Sequence, residues 1–250
     1  MNKNRKIVVF DFDGVVCDST DECMVTSWNA WEKWNERDAF RTNLREFNEK
    51  DRLSLRKVRP RVRGAGEYYI LRRALSEGLR IDNQEEYDQL EEKWKDKIEP
   101  FKVVFFKARE KLREIDLEGW IGLHPVFDGV IESMKTLNRQ SRLYIATLKD
   151  AESVKLILGK QGLKIADENL LDQSKIKTKL QALDIFRKRI GCDKVDMIFI
   201  DDNVTHLLEP NNAGYSVFLT TWGYTMNEYL HIAKTENIPI MDKYNKLENY

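Results

Sequence analysis

Hydrophobic residues recur along the chain in two patterns, and each pattern predicts a different element. Residues 5–10 carry a continuous apolar run that ends at Asp11, as expected of a strand buried on both faces. Helical patterns also recur in the second half of the chain. Strands alternating with helices predict an α/β fold: a doubly wound, mostly parallel sheet with helices on both faces. The further strands are predicted at 143–147, 197–201 and 215–220, and the helices at 126–138, 151–161, 177–190 and 204–213.

A long segment after the first strand has a different composition. From about residue 20 to about residue 113 the chain is rich in Glu, Lys, Arg, Trp and Leu, with few Gly or Pro, which predicts several amphipathic helices. Trp28, Trp31 and Trp34 recur every third residue and mark one face of a helix. We interpret this aromatic stripe as a packing face rather than a ligand-binding surface.

The position of this helical segment predicts two domains. It interrupts the α/β pattern directly after the first strand, and residues 119–125 have the composition of a return linker. We therefore predict an α/β core domain formed by residues 1–18 and 125–250. Residues 19–124 form an inserted α-helical domain.

Composition and charge exclude several classes of partner. The 250 residues include 42 basic and 42 acidic ones, and this balance argues against nucleic acid or an anionic membrane as a partner. The apolar runs are too short to cross a bilayer, and no cleavable signal region precedes the first strand. Three cysteines without metal-type spacing favour a reduced, cytoplasmic protein.

The first strand ends in residues that can carry chemistry. Asp11 and Asp13 are two positions apart on a chain that is leaving a strand, and Gly14 lets the backbone turn there. Active sites of open α/β sheets lie at the carboxyl ends of strands. Two carboxylates so close together repel each other unless a cation intervenes, which points to a hard divalent metal. An ordinary Asp-rich turn is the alternative.

Two later strands end in the same way. Thr147 follows the second strand, where its hydroxyl could donate to a phosphoryl oxygen or cap a helix. Asp201 and Asp202 follow the apolar run 197–200, and paired acids in this position are again a metal-ligand arrangement. Between them, the basic segment 175–179 opens an amphipathic helix, where lysines usually form a solvated face.

In this order, the segments resemble the four sequence motifs of the haloacid dehalogenase superfamily. The likeness covers roughly residues 5–20 and 122–222, and the first motif is its most specific part. Lys177 is our choice for the third-motif lysine, because Leu180 and Leu183 follow at helical spacing. The other motifs correspond to residues 8–19, to Thr147, and to residues 199–202 with 213–214 downstream.

The resemblance implies a Rossmann-like core with a helical cap, and a set of roles for these residues. Asp11 would be the nucleophile and Asp13 the general acid and base. Thr147 and Lys177 would bind phosphoryl oxygens, beside Gly14 and Leu148. The implied metal is Mg²⁺, held by Asp11, the carbonyl of Asp13, and Asp202. Relatives that cleave carbon–halogen bonds lack an acid equivalent to Asp13, so its presence favours phosphate chemistry.

The sequence departs from the family pattern at two positions. The family usually has Asp or Asn four residues beyond the metal-binding acid, whereas this chain has His206. That imidazole could orient a metal-bound water, or it could cap or pack the following helix. At the third motif, Lys177 has rivals at Lys175 and Lys179, and no proline follows it as in many relatives.

A basic stretch lies within the predicted cap. Residues 56–66 contain Pro60, Gly64 and Gly66, which argue for a loop between helices. The loop could reach the active site and bind an anionic group of the substrate, or it could be a solvated surface that balances the acidic run 85–92. The arginines proposed as substrate-binding are Arg59, Arg61 and Arg63.

These inferences predict a Mg²⁺-dependent phosphatase that acts on a small phosphorylated metabolite through an aspartyl-phosphate. A phosphomutase would use the same nucleophile, acid and metal, and a binding or regulatory protein could keep the fold without turnover. The sequence fixes neither the natural substrate nor the oligomeric state.

Overall fold

The computed structural model describes residues 6–242, so residues 1–5 and 243–250 lie outside it, including the first residue of the predicted strand 5–10. The chain forms two compact units. The core unit is Met1–Asp18 with Pro125–Tyr250, and the helical unit is Ser19–His124. The sequence analysis places the two domain boundaries at these same residues.

The core unit is built on one parallel sheet. Its strands are β1 Ile7–Phe10, β2 Leu143–Ala146, β3 Leu170–Leu171, β4 Met197–Asp201, β5 Ser216–Thr220 and β6 Ile240–Met241. They lie in the order β3-β2-β1-β4-β5-β6, so that the central strand β1 has β2 on one side and β4 on the other. All four residues of β1 are buried, which explains the continuous apolar run. The predicted doubly wound α/β fold is therefore confirmed.

Helices account for the helical unit and for the connections of the sheet. In chain order they are α1 Thr20–Trp34, α2 Glu49–Val58, α3 Tyr68–Glu77, α4 Gln84–Ile115, α5 Leu117–Gly122, α6 Val130–Arg139, α7 Ala151–Lys160, α8 Lys179–Ile190, α9 Val204–Asn212 and α10 Asn227–Thr235. The first five lie in the helical unit and the others in the core unit. None of the helices described is long and apolar enough to cross a membrane.

Two predicted elements need correction, and two strands were not predicted. The strands β3 and β6 have two residues each and are too short to leave a hydrophobic pattern. The predicted return linker 119–125 is largely helix α5, which the Asp116 side chain caps by accepting from the Gly119 N–H at 2.8 Å. The predicted loop 56–66 includes the end of α2 and two short 3₁₀ helices, Arg59–Arg61 and Ala65–Glu67.

The tryptophan stripe on α1 packs inside the helical unit. Trp31 and Trp34 both contact the ring of Tyr69, at centroid distances of 5.7 and 5.6 Å. Trp28 contacts Phe47 at 5.9 Å, and all three contacts have edge-to-face geometry. The stripe is therefore a packing face, as its helical spacing indicates.

Candidate active site

Three neighbouring strands end at the same edge of the sheet and bring their polar residues together. Phe10 of β1 lies beside a residue of β2 on one side and of β4 on the other. Asp11 follows β1, Thr147 follows β2, and Asp201 is the last residue of β4. The main-chain N–H of Asp11 donates to Ile200 at 2.9 Å, which extends the ladder to the first candidate residue. Parallel strands therefore place these groups at one edge, as the sequence predicts.

Asp11 is buried and pairs with Lys179, which the sequence analysis named as a rival of Lys177. The ammonium of Lys179 lies 2.5 Å from Asp11 Oδ1 and also donates to the Ala146 carbonyl at 2.8 Å. Burial raises the pKa of Asp11 to about 6; Lys179 opposes this shift, and the negative charge of Asp201 adds to it. For Lys179, burial alone lowers the pKa, but Asp11 and Asp201 outweigh it and raise the pKa. The lysine therefore remains a cation beside the candidate nucleophile.

The structure corrects the choice of Lys177. Its side chain is exposed, and its main-chain N–H donates to the Gln181 side chain at 2.8 Å. Helix α8 begins at Lys179 because Thr178 is its N-cap and accepts from the Gln181 N–H at 3.2 Å. The sequence carries this signal: Thr178 followed three positions later by Gln181 matches the capping-box pattern. That pattern starts the helix at Lys179, whereas the leucine spacing alone does not fix where it starts.

A second buried lysine, which the sequence analysis did not single out, holds Asp13. The Lys149 ammonium donates to Asp13 Oδ1 at 3.2 Å, and the lysine side chain is fully buried. Asp11 and Asp13 are therefore each paired with their own lysine. The repulsion predicted between the two carboxylates is met by protein cations, and not by a metal ion alone.

Thr147 retains a donor for an anion. Its Oγ1 accepts from the Lys149 N–H at 3.1 Å, and its side chain is buried. The N-cap of α7 is Asp150, which accepts from the Ser153 N–H at 2.9 Å. Thr147 is thus not the helix cap that the sequence left open. Leu148, the other residue predicted here, directly follows it and is half-buried.

Asp201 is completely buried and has three polar partners. It accepts from the Asn203 N–H at 2.9 Å, its Oδ2 lies 3.1 Å from His206 Nδ1, and the same oxygen lies 3.4 Å from the Lys179 ammonium. Burial by itself raises the pKa of Asp201, but His206 and Lys179 outweigh it, so the pKa lies below its usual value. Asp201 therefore stays ionised at the centre of the cluster.

Asp202 is oriented by the turn that follows β5. The Tyr224 N–H donates to Asp202 Oδ2 at 2.7 Å, and the Thr225 hydroxyl donates to the Asp202 carbonyl at 3.1 Å. Gly14 has a φ of +86°, and a β-carbon there would overlap the Asp202 carboxylate. At Gly223, a β-carbon would overlap the Gly14 carbonyl. Two glycines therefore permit the close approach between Asp202 and the loop after β1.

The donor set fits a divalent cation, although the grouping differs from the predicted one. Ligand atoms of Asp11, Asp201 and His206 lie within 4.8 Å of one another, whereas the predicted set was Asp11, Asp13 and Asp202. Among the described residues, Asp11 Oδ2 accepts no hydrogen bond, so this buried oxygen can serve as a ligand. Carboxylate oxygens are the ligands that Mg²⁺ prefers.

The three arginines predicted to bind substrate have partners within the helical unit. Arg59 donates to the Val62 carbonyl at 3.1 Å and Arg61 to the Asp82 carbonyl at 3.2 Å, and both side chains are buried. Arg63 is paired with two carboxylates, those of Glu67 and Glu91. The role proposed for these arginines remains a prediction, and the ion pairs make Arg63 the weakest of the three candidates.

Comparison with solved structures shows the same fold in several bacterial proteins. A predicted phosphoglycolate phosphatase from Haemophilus somnus is 16% identical, with a TM-score of 0.66 over 100% of this chain and 99% of that one. A predicted phosphatase from Clostridium acetobutylicum is 16% identical, with a TM-score of 0.64 over 98% and 97%. A haloacid dehalogenase-like hydrolase from Streptococcus pneumoniae is 15% identical, with a TM-score of 0.60 over 98% of each chain.

Sequence comparison agrees with the resemblance noted in the four motifs. No curated protein matches the chain. The family model for haloacid dehalogenase-like hydrolases matches residues 5–214, which include the carboxyl ends of β1, β2 and β4. The chain therefore belongs to the haloacid dehalogenase-like hydrolase family.

Proposed function

We propose that this protein is a Mg²⁺-dependent phosphatase that hydrolyses a small phosphorylated metabolite through an aspartyl-phosphate on Asp11. The observation that carries the proposal is the buried pair of Asp11 and Lys179 at the carboxyl end of β1, with Asp13 two residues on. Family membership supports hydrolysis, and two structural relatives named as phosphatases favour a phosphate ester as the substrate.

Asp11 supplies the nucleophile in the first step. Above pH 6 its carboxylate is ionised, and it attacks phosphorus while the ester oxygen leaves. Lys179 already lies against Asp11 and would hold the phosphoryl oxygens as negative charge spreads over them. The Thr147 hydroxyl, whose oxygen accepts from a main-chain N–H, would donate its proton to the same group.

Asp13 supplies the proton transfers. It would protonate the leaving oxygen in the first step and take a proton from the attacking water in the second. Lys149 donates to one of its two carboxylate oxygens and so fixes the side-chain orientation.

The cation would be held by carboxylates from two strand ends. Asp11 follows β1 and Asp201 ends β4, and with Asp202 and the main-chain carbonyl of Asp13 they would supply oxygen ligands. When bound, Mg²⁺ would neutralise phosphate charge and so allow one anion to approach another. The lysines alone leave the site negative, because Asp11, Asp13, Asp201 and Asp202 outnumber Lys149 and Lys179.

Phosphate release from a panel of phosphorylated metabolites and one aryl phosphate tests the proposal. We expect hydrolysis with Mg²⁺, loss of activity with a chelator, recovery with added Mg²⁺ and poor recovery with Ca²⁺, which prefers more ligands and looser geometry. Full activity in chelator would contradict the metal requirement. Absence of turnover on the whole panel, with isomerisation of a sugar phosphate instead, would favour a phosphomutase.

A further inference from the structure

His206 lies beside the carboxylates of the candidate metal site, although it is not an oxygen donor. It is in the first turn of α9, directly after the strand end that carries Asp201 and Asp202. Its Nδ1 lies 3.1 Å from Oδ2 and 3.3 Å from Oδ1 of Asp201, and its side chain is 16% exposed. The imidazole therefore points back toward the carboxylates rather than outward into solvent.

The distances match those between ligands of a single ion. With metal–ligand bonds of about 2.1 Å, neighbouring ligands of an octahedral ion lie about 3.0 Å apart and opposite ligands about 4.2 Å apart. The separation of 3.1 Å between His206 Nδ1 and Asp201 Oδ2 is close to such an edge. One ligand atom from each of Asp11, Asp201 and His206 lies within 4.8 Å of the other two, so shifts of a few tenths of an ångström would bring the three atoms onto one ion.

The groups around His206 carry excess negative charge and include a carboxylate oxygen that could bind a cation. Lys179 occupies Oδ1 of Asp11, and Oδ2 receives no donor from the described part of the chain. Asp201 is fully buried, and the Lys179 ammonium 3.4 Å from its Oδ2 is shared with Asp11. Two buried carboxylates therefore share one lysine, and a bound cation would balance the negative charge that this lysine leaves over.

We propose that His206 ligates the metal ion of this site, together with Asp11 and Asp201, and shifts its preference toward first-row transition-metal ions. This inference rests on the proposed function, because it concerns the ion that would support that reaction. Imidazole nitrogen binds ions such as Co²⁺ far better than it binds Mg²⁺, for which oxygen ligands are preferred. His206 would thus be a selectivity residue contributed by the first turn of α9.

Metal binding measured without turnover tests the assignment. Protein without a histidine tag is titrated with Mg²⁺ and Co²⁺ by calorimetry, for the wild type and for His206→Asp, His206→Asn and His231→Asn. We expect His206→Asp to lower the Co²⁺ to Mg²⁺ affinity ratio by about tenfold or more, because an oxygen replaces the nitrogen. His231 is exposed on α10, so His231→Asn is the matched control and should leave the ratio unchanged.

Pulsed electron paramagnetic resonance of the Mn²⁺-loaded protein reports the ligand directly. We expect coupling to an imidazole ¹⁴N in the wild type and in His231→Asn, and its loss in His206→Asp and His206→Asn. Bound Mn²⁺ without this coupling, or coupling that survives His206→Asp, would overturn the inference while phosphatase activity persisted. If the protein binds none of these ions, both the role of His206 and the metal requirement of the proposed function would be overturned. Activity that persists in chelator identifies that case.

Discussion

Each unit of this protein buries a carboxylate against a basic side chain, but the two clusters differ in how completely their charges are matched. In the helical unit, Arg109 donates to both oxygens of Glu22, each at 2.8 Å, and the Thr26 hydroxyl and Trp120 indole add further donors. In the core unit, Lys179 contacts one oxygen of Asp11 and leaves the other without a donor among the described residues.

The difference separates a structural ion pair from a reactive one. A bidentate, fully hydrogen-bonded pair such as Glu22 and Arg109 holds its carboxylate in a single orientation. The single contact to Asp11 leaves its pKa at about 6, because burial outweighs the lysine and Asp201 adds negative charge. Because its negative charge is only partly balanced, Asp11 is buried and still has an oxygen that can react, as a nucleophile requires.

The largest expected effect comes from removing the reactive carboxylate. We expect Asp11→Asn to lower kcat by at least about a thousandfold, because the amide is nearly isosteric but cannot attack phosphorus. Phosphate release measures the loss, and circular dichroism checks that the fold is retained. Activity within tenfold of the wild type would show that Asp11 is not the nucleophile.

Breaking the matched pair should instead damage the fold. Arg109→Ala leaves Glu22 buried without its main partner, so we expect the free energy of unfolding to fall by about 3–5 kcal/mol. Urea denaturation measures it. Lys102→Ala, on the same helix, removes a partly exposed partner of Glu99 and should cost less than about 1 kcal/mol. Equal losses in the free energy of unfolding of the two variants would show that the buried pair stabilises the fold no more than an exposed pair does.

Lysine substitutions test the pair of Asp11 and Lys179 in the core unit. We expect Lys179→Ala to lower kcat/KM by about a hundredfold to a thousandfold, because it removes a preorganised charge beside the phosphoryl group. Lys177→Ala is the matched control two residues away, and its exposed side chain predicts less than about a twofold change. If Lys177→Ala were the damaging change, the assignment from the structure would be wrong.

The raised pKa of Asp11 predicts how stability depends on pH. A carboxyl whose pKa is higher in the folded state stabilises the fold below its unfolded value of 3.8, and that contribution is lost as pH rises through about 6. At about 1.4 kcal/mol for each pH unit, the wild type should lose about 2.5 kcal/mol relative to Asp11→Asn between pH 4 and pH 8. Urea denaturation of both proteins in chelator measures it, and parallel pH profiles would contradict the shift.

The smallest effect should come from an arginine whose charge is already matched. Arg63 is paired with Glu67 and Glu91, so we expect Arg63→Ala to change kcat/KM by less than about twofold on any substrate. The measurement compares the change in kcat/KM on the natural substrate with the change on an aryl phosphate. A selective loss of tenfold or more on the natural substrate would restore Arg63 as a substrate-binding residue.

The sequence by itself determined the elements and most of the strand ends. Period and composition predicted the parallel sheet, the helical insertion and the place of Asp11, because a strand buried on both faces must be apolar until it reaches the sheet edge. The four motifs led to the family that comparison shows. Strands of two residues, such as β3 and β6, left no pattern to read.

Tertiary structure decided which charges meet. Among three lysines in five residues, only the N-cap at Thr178 and the packing of α8 bring Lys179 to Asp11. Lys149 meets Asp13 although 136 positions separate them in the chain. Local periodicity predicts which face of an element is buried, but it does not predict which distant residue a buried charge will contact in the fold. That pairing depends on the positions of several elements at once, and only the folded chain fixes it.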